Sequence, residues 1–201
     1  MITVVDYGIG NILSFMNLYK RLNIKCQVAT TARDFEGATK IILPGVGSFD
    51  HAMDSLNASG MRETLDELVV ENKLPVLGIC VGMQMLADGS DEGQRAGLGW
   101  VPGRVKKFDL SRVKQLPHMG WNDVEPIANV GIFNDFHTIP RFYFLHSYYY
   151  ECAKQEHILA STHYGDDFTC AVTNGNVYGV QFHPEKSHQS GMSLLKNFAE
   201  L

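Results

Sequence analysis

Pro75-Val76-Leu77-Gly78-Ile79-Cys80-Val81-Gly82-Met83-Gln84-Met85-Leu86 opens as an apolar run short enough for a buried strand. It closes with Met83, Leu86 and Ala87 at helical spacing. Cys80 stands at the junction, with Gly78 and Gly82 two residues to either side. The pattern G-x-C-x-G matches the strand–turn–helix elbow usually written G-x-S-x-G. A sharp turn carrying a nucleophile tolerates no bulky neighbours on the sheet, which is why glycines flank it. The thiol then faces a helix N-terminus, where unpaired N–H groups stabilise negative charge. A lone cysteine is ordinarily a small buried hydrophobe. The paired glycines shift Cys80 towards a reactive role.

Around that elbow the chain reads as one domain of 201 residues, long enough to bury a substantial core. Residues 2–6 form an apolar strand rather than a signal peptide, because no basic segment precedes them. The loop Tyr7-Gly8-Ile9-Gly10-Asn11 leads into an amphipathic helix with Asn11 near its N-cap. A dinucleotide-binding reading of Gly8 and Gly10 fails, since Leu13 occupies the third glycine position and no acidic residue closes the next strand, 25–29. Lys40-Ile41-Ile42-Leu43 is a third strand, followed by the turn Pro44-Gly45-Val46-Gly47-Ser48. Helices are predicted over 49–58 and 61–72. This alternation implies a parallel sheet covered by helices, with ligands at the carboxyl ends of its strands. Cys80 and the 45–47 turn both lie at such ends.

The second half differs. Residues 88–99 are polar and glycine-rich, a loop holding Glu92. Short strands at 101–108, 121–124, 141–145, 157–163, 169–173 and 177–181 are separated by turn residues, so the sheet is mixed. An amphipathic helix closes the chain over 190–201.

A net charge of −5 argues against nucleic-acid and anionic-membrane partners. No apolar segment reaches spanning length. The four cysteines, at 26, 80, 152 and 170, form no C-x-x-C pair. A disulfide framework and a thiolate metal site are therefore not expected, and a reducing cytoplasm is.

A thiol nucleophile needs a base held in one tautomer by a third group. His183-Pro184-Glu185 follows an apolar strand, and Pro184 favours an extended His183. In an extended segment residues 183 and 185 project side by side. Glu185 then orients the imidazole. His118 and His146 are rivals as the base, but neither has a carboxylate two residues on.

The G-x-C-x-G-x-Q run at 78–84, the Pro44–Gly47 turn and His183-Pro184-Glu185 resemble the class I, triad-type glutamine amidotransferases over essentially the whole chain. Asp6-Tyr7-Gly8-x-Gly10-Asn11, Pro117-His118-Met119-Gly120-Trp121-Asn122 and Phe182–Ser187 narrow the similarity to the glutaminase-subunit branch of imidazole glycerol phosphate synthases. The resemblance implies an α/β, flavodoxin-like amidotransferase domain over 1–201, with a mixed, mostly parallel sheet, flanking helices and a nucleophile elbow. It implies no cofactor and no metal. The substrate would be L-glutamine, hydrolysed to glutamate and ammonia by Cys80, His183 and Glu185. The oxyanion hole would be formed by the backbone of Val81 with Val46 and Gly47. Gly45, Gln84, Glu92, Ser147 and Tyr148 would bind substrate; a carboxylate such as Glu92 suits its ammonium. The implied partner is a (β/α)8-barrel cyclase in a heterodimer that forms imidazole glycerol phosphate and AICAR in histidine biosynthesis. Asn11, Met119, Trp121 and Lys186 would face it.

Ser48 and Val81 depart from the commoner Ala and Leu of that branch. Gly97-Leu98-Gly99-Trp100 resembles a paralogous branch that supplies ammonia for amidino-sugars of surface polysaccharide. Two other readings stand beside these: a cysteine hydrolase or peptidase on the same elbow, and a non-catalytic binding subunit.

Overall fold

The computed structural model describes residues 1–128 and 131–201. The strands are β1 (Ile2–Val5), β2 (Cys26–Ala29), β3 (Lys40–Gly45), β4 (Val76–Cys80), β5 (Gly89–Ser90), β6 (Gly103–Lys107) and β7 (His118–Asp123). They continue with β8 (Glu125–Pro126), β9 (Arg141–His146), β10 (Tyr148–Cys152), β11 (Ile158–Tyr164), β12 (Asp166–Asn174) and β13 (Val177–Val180). The helices are α1 (Ile12–Arg21), α2 (Phe49–Ala58), α3 (Arg62–Asp66), α4 (Val81–Gln84) and α5 (His188–Glu200).

The main sheet runs β2-β1-β3-β4-β13-β12-β10-β6-β5, with β11 and β8 attached beside β12. From β2 to β13 every pairing is parallel. Beyond β13 the sheet turns antiparallel, and only the short β5 pairs in parallel again. In the parallel half both faces are covered, so β1 and β4 are buried at every residue and, Thr3 apart, carry no polar side chain but the Cys80 thiol. The elbow therefore sits on a central strand, and its exit is rigidly held.

Three expected elements take a different form, and β10, with the short β5 and β8, stands where no strand was expected. The elbow helix lasts a single turn, because the 97–101 segment docks on its exit. Leu98, Gly99 and Val101 donate backbone N–H bonds to Met85 O, Ala87 O and Leu86 O at 2.7, 3.0 and 3.0 Å. Those carbonyls are then unavailable to a continuing helix. A Cβ on Gly97 would overlap the Ala87 carbonyl oxygen. The Gly97–Trp100 run thus fits against the elbow, and the Trp100 indole N–H donates to Asp66 Oδ1 at 2.8 Å.

The helix expected over 61–72 is α3 followed by one wide turn over Glu67–Glu71, closed by Lys73 at φ 57°. The strand expected at 121–124 begins earlier. β7 runs from His118 and pairs antiparallel with β9, His118 opposite His146 and Trp121 opposite Tyr143, as a separate two-stranded sheet. Among the described residues no helix is long and apolar enough to cross a membrane.

Candidate active site

Cys80 ends β4 at φ 55° and ψ −113°, a left-handed conformation that costs an ordinary residue on the order of 1–3 kcal/mol. Its surroundings hold it there. A Cβ on Gly82 would overlap the Leu43 carbonyl oxygen, and one on Gly78 would lie 2.6 Å from Gly82 O. Only a chain bare at both positions can fold this sharply against β3. The pairing of β3 with β4 sets Gly45 opposite Cys80. The Val46–Gly47 turn therefore emerges beside Cys80 and Val81. Gly47 sits at φ 89°, which a glycine adopts without strain. The N–H of Val81 heads a helix and has no partner within it.

A cavity of about 300 Å³ opens over Cys80. Ten of the expected residues line it: Val46, Gly47, Cys80, Val81, Gln84, Glu92, Ser147, Tyr148, His183 and Lys186. Pro117, Leu145 and His146 complete its wall. Gly45 lies beneath, packed so closely on the elbow that a Cβ there would meet Gly82 N at 2.5 Å. Glu185 stands outside the wall, behind His183. Its Oε1 lies 2.8 Å from His183 Nδ1, and both side chains are buried.

The sequence expectation for this pair needs one change. His183 is extended, but Pro184–Lys186 form a tight helical turn, with Lys186 N–H donating to His183 O at 3.0 Å. Glu185 is brought under the imidazole by that turn and not by strand alternation.

Cys80 Sγ lies 4.0 Å from Leu145 O and 3.8 Å from the Gln181 amide nitrogen. It shares the cavity wall with His183. Burial pulls His183 down, but hydrogen bonds to Cys80 and Glu185 outweigh it, together with their charges, and push it up from 6.5 to about 10. The protonated ring accordingly contributes stability that is complete below about pH 6.5 and lost as pH rises through about 10. Glu185→Gln removes one of the raising contacts and leaves burial in place. The His183 titration midpoint, followed by NMR, is expected to move to lower pH. An unmoved midpoint would place the shift on other groups.

The far wall is braced by contacts that sequence reasoning did not find. Gln84 donates its amide to Gln181 Oε1 at 2.9 Å and, more weakly, to Tyr148 O at 3.4 Å. Gln181 was legible only as a polar residue at the buried end of an apolar strand. Glu92 Oε2 accepts the N–H of Phe49 at 2.8 Å, at the start of α2. In return Asp50 accepts the N–H groups of Gln94 and Arg95 at 2.9 Å, which hold its carboxyl below the usual range. This reciprocal clamp ties the Glu92 loop to the segment that leaves the Val46–Gly47 turn.

The expected partner-facing residues do not line the cavity, apart from Lys186. Asn11 is exposed in a loop beside β3, where Gly10 abuts Pro44 and Tyr7 donates to Pro44 O at 2.6 Å. Met119 and Trp121 are 57% and 42% exposed on the outer face of β7. Trp121 stacks on His188 with ring centroids 5.2 Å apart, and Lys186 lies 6.0 Å from the Tyr143 ring centroid. His118 and His146, the rival bases, bond to each other at 2.9 Å and, among the described residues, have no carboxylate partner.

The site thus offers a thiol, an imidazole with its carboxylate, the N–H of Val81 at the start of a helix, and a carboxylate across a closed-backed cavity. The model of the family described as glutamine amidotransferase class-I matches residues 3–201. Imidazole glycerol phosphate synthase subunit HisH of Bdellovibrio bacteriovorus is 63% identical, each chain covered in full. The protein of the same name from Leptospira interrogans is 50% identical, again with full coverage of both. A solved glutamine amidotransferase structure superposes with a TM-score of 0.77 over 99% of this chain and 97% of its own, at 20% identity. At that identity the likeness concerns the fold.

Proposed function

The chain belongs to the class-I glutamine amidotransferase family, and from that premise we propose that it is the glutaminase subunit of an imidazole glycerol phosphate synthase, working with a cyclase subunit in histidine biosynthesis. The reading is carried by Cys80 and His183 at one cavity, with Glu185 behind the imidazole, in a chain 63% identical to a HisH subunit.

Glutamine enters with its side-chain amide over Cys80. Its ammonium is met by Glu92, and its carboxylate lies against the backbone at Ser147–Tyr148, with Gly45 and Gln84 supporting the pocket. Cys80 passes its thiol proton to His183, the resulting thiolate attacks the amide carbon, and the amide oxygen becomes an oxyanion facing the N–H groups of Val81 and of the Val46–Gly47 turn. Removing one such donor typically costs about 3–4 kcal/mol of barrier. His183 gives its proton to the departing nitrogen, and the C–N bond breaks to leave a thioester and ammonia. Water then attacks the thioester, passing a proton back to His183, and glutamate leaves with the thiol restored. Glu185 stabilises the imidazolium each time it forms.

Ammonia released into water becomes ammonium and loses its nucleophilicity, so the acceptor must sit against the mouth of the cavity. Met119, Trp121, Lys186 and Asn11 would form that face against the barrel end of the cyclase. Val46 and Leu145, both partly exposed apolar residues on the cavity wall, continue it. The test is calorimetric titration of the cyclase subunit into this chain. Trp121→Ala is expected to weaken the complex roughly thirtyfold, about 2 kcal/mol, the scale of a buried aromatic anchor. Unchanged affinity would remove Trp121 from the interface. A cyclase subunit that neither binds nor receives ammonia would remove the pathway assignment.

A further inference from the structure

His118 and His146 are buried, uncharged by any carboxylate, and unused by the triad chemistry. Their protons can nonetheless be assigned. Tyr148 O can only accept, so His146 Nδ1, at 2.7 Å, carries a hydrogen and donates to it. Asn122 Oδ1 accepts the N–H of Asp123 at 2.9 Å, which fixes the amide the right way round. Asn122 Nδ2 therefore donates twice, to His163 O at 2.8 Å and to His118 Nε2 at 3.3 Å. His118 Nε2 must be the bare nitrogen, and His118 Nδ1–H donates to His146 Nε2 at 2.9 Å. One arrangement satisfies every atom: two neutral rings, each protonated at Nδ1. An added proton on His146 would reverse the central bond and set His118 Nε2–H against the Asn122 N–H.

The surroundings favour that neutral state. The His118 ring lies between Tyr164 and Phe144, with centroids 4.0 and 4.8 Å away. Burial pulls His118 down to about 4 and His146 to about 3, the latter beside the charged His183.

The line of bonds joins two functional surfaces. At one end it holds the Tyr148 carbonyl, where β9 gives way to β10 at the cavity wall. At the other it lies on the inner side of β7, where His118 and Asn122 alternate with the exposed Met119 and Trp121. We propose that His118 and His146 form a positioning relay that fixes the Ser147–Tyr148 segment for the glutamine carboxylate and ties it to occupation of the outer face of β7 by the partner subunit. The proposal rests on the glutaminase reading above. A displacement of β7 on docking passes through two stiff rings to the backbone that holds substrate.

The test uses the full chain with and without the cyclase subunit. His118→Phe keeps a flat ring in the aromatic sandwich and removes both nitrogens. The KM for glutamine is expected to rise roughly tenfold while kcat stays within about threefold, the pattern of lost ground-state binding. Stimulation of ammonia release by the cyclase is expected to fall at least severalfold. Unchanged KM and stimulation would overturn the proposal, as would a fall in kcat at constant KM. The wild-type chain with 15N-labelled imidazoles decides the matter if the variant does not fold. Neutral rings protonated at Nδ1 at neutral pH support the relay, and an imidazolium or an Nε2–H ring refutes it. Those ring states need no substrate. A chain with the expected tautomers that releases no ammonia from glutamine would count against the glutaminase reading alone.

Discussion

Replacing Cys80 by alanine is expected to lower glutamine hydrolysis by about four to six orders of magnitude, with the fold left intact. The fold should survive because the sulfur's contacts to the surrounding wall, at Gln181 and Leu145, are long, 3.8 and 4.0 Å. The conformation at residue 80 is imposed by Gly78 and Gly82, which remain. His183→Ala is expected to cost about as much as Cys80→Ala, and the double variant little more than either. The groups act as a unit: without the imidazole no proton reaches the leaving nitrogen, and without the sulfur there is no thioester to form. The check is ammonia release by each variant in the presence of the cyclase subunit, alongside thermal unfolding. Losses that multiply in the double variant would mean that the two residues act separately.

The second large effect is expected from a single methyl group. Gly82→Ala places a Cβ against the Leu43 carbonyl oxygen, and its next contacts are also backbone, of Leu43 and Pro44. No side chain can rotate away, so either β3 or the elbow must move. Overpacking of this kind destabilises by about 3 kcal/mol. A shift of β3 also carries the Val46–Gly47 turn away from Cys80, because Gly45 pairs with that residue. Ammonia release is therefore expected to fall at least a hundredfold even in the fraction that remains folded. Denaturant unfolding and turnover per folded molecule test the two parts. Gly175→Ala is the control for backbone strain without a clash: at φ 61° an alanine costs about 1 kcal/mol, but its Cβ meets nothing within 4 Å and turnover per folded molecule should be unchanged. Normal stability and turnover in Gly82→Ala would mean that the elbow is not closely packed.

The elbow was legible in the sequence because its constraints are local. Two glycines around Cys80 report a steric requirement within five residues, and the apolar run before them reports burial. His183 and Glu185 were legible for the same reason, although the backbone turn that joins them was not. What escaped was set by contacts between distant segments. The short elbow helix ends because residues 97–101 claim its carbonyls, and no periodicity in 81–87 records that. The pairing of β7 with β9 joins residues 28 apart, so His118 and His146 looked like competing bases when they are partners. Gln181 and Asp50 act through amides and backbone N–H groups rather than through charge chemistry, and such roles leave no motif.

Under the proposed function one cysteine of four is the nucleophile, and His183 makes it so. The other three are held back by burial: Cys26 is pushed up to about 11, Cys152 to about 12, and Cys170 well above its ordinary range. The most direct measurement is labelling with an electrophilic glutamine analogue such as a diazoketone or chloroketone, followed by peptide mapping in the wild-type chain and in His183→Ala. The expected result is label on Cys80 alone, formed far more slowly in the variant. Label on Cys26, Cys152 or Cys170, or an equal rate on Cys80 without His183, would contradict it.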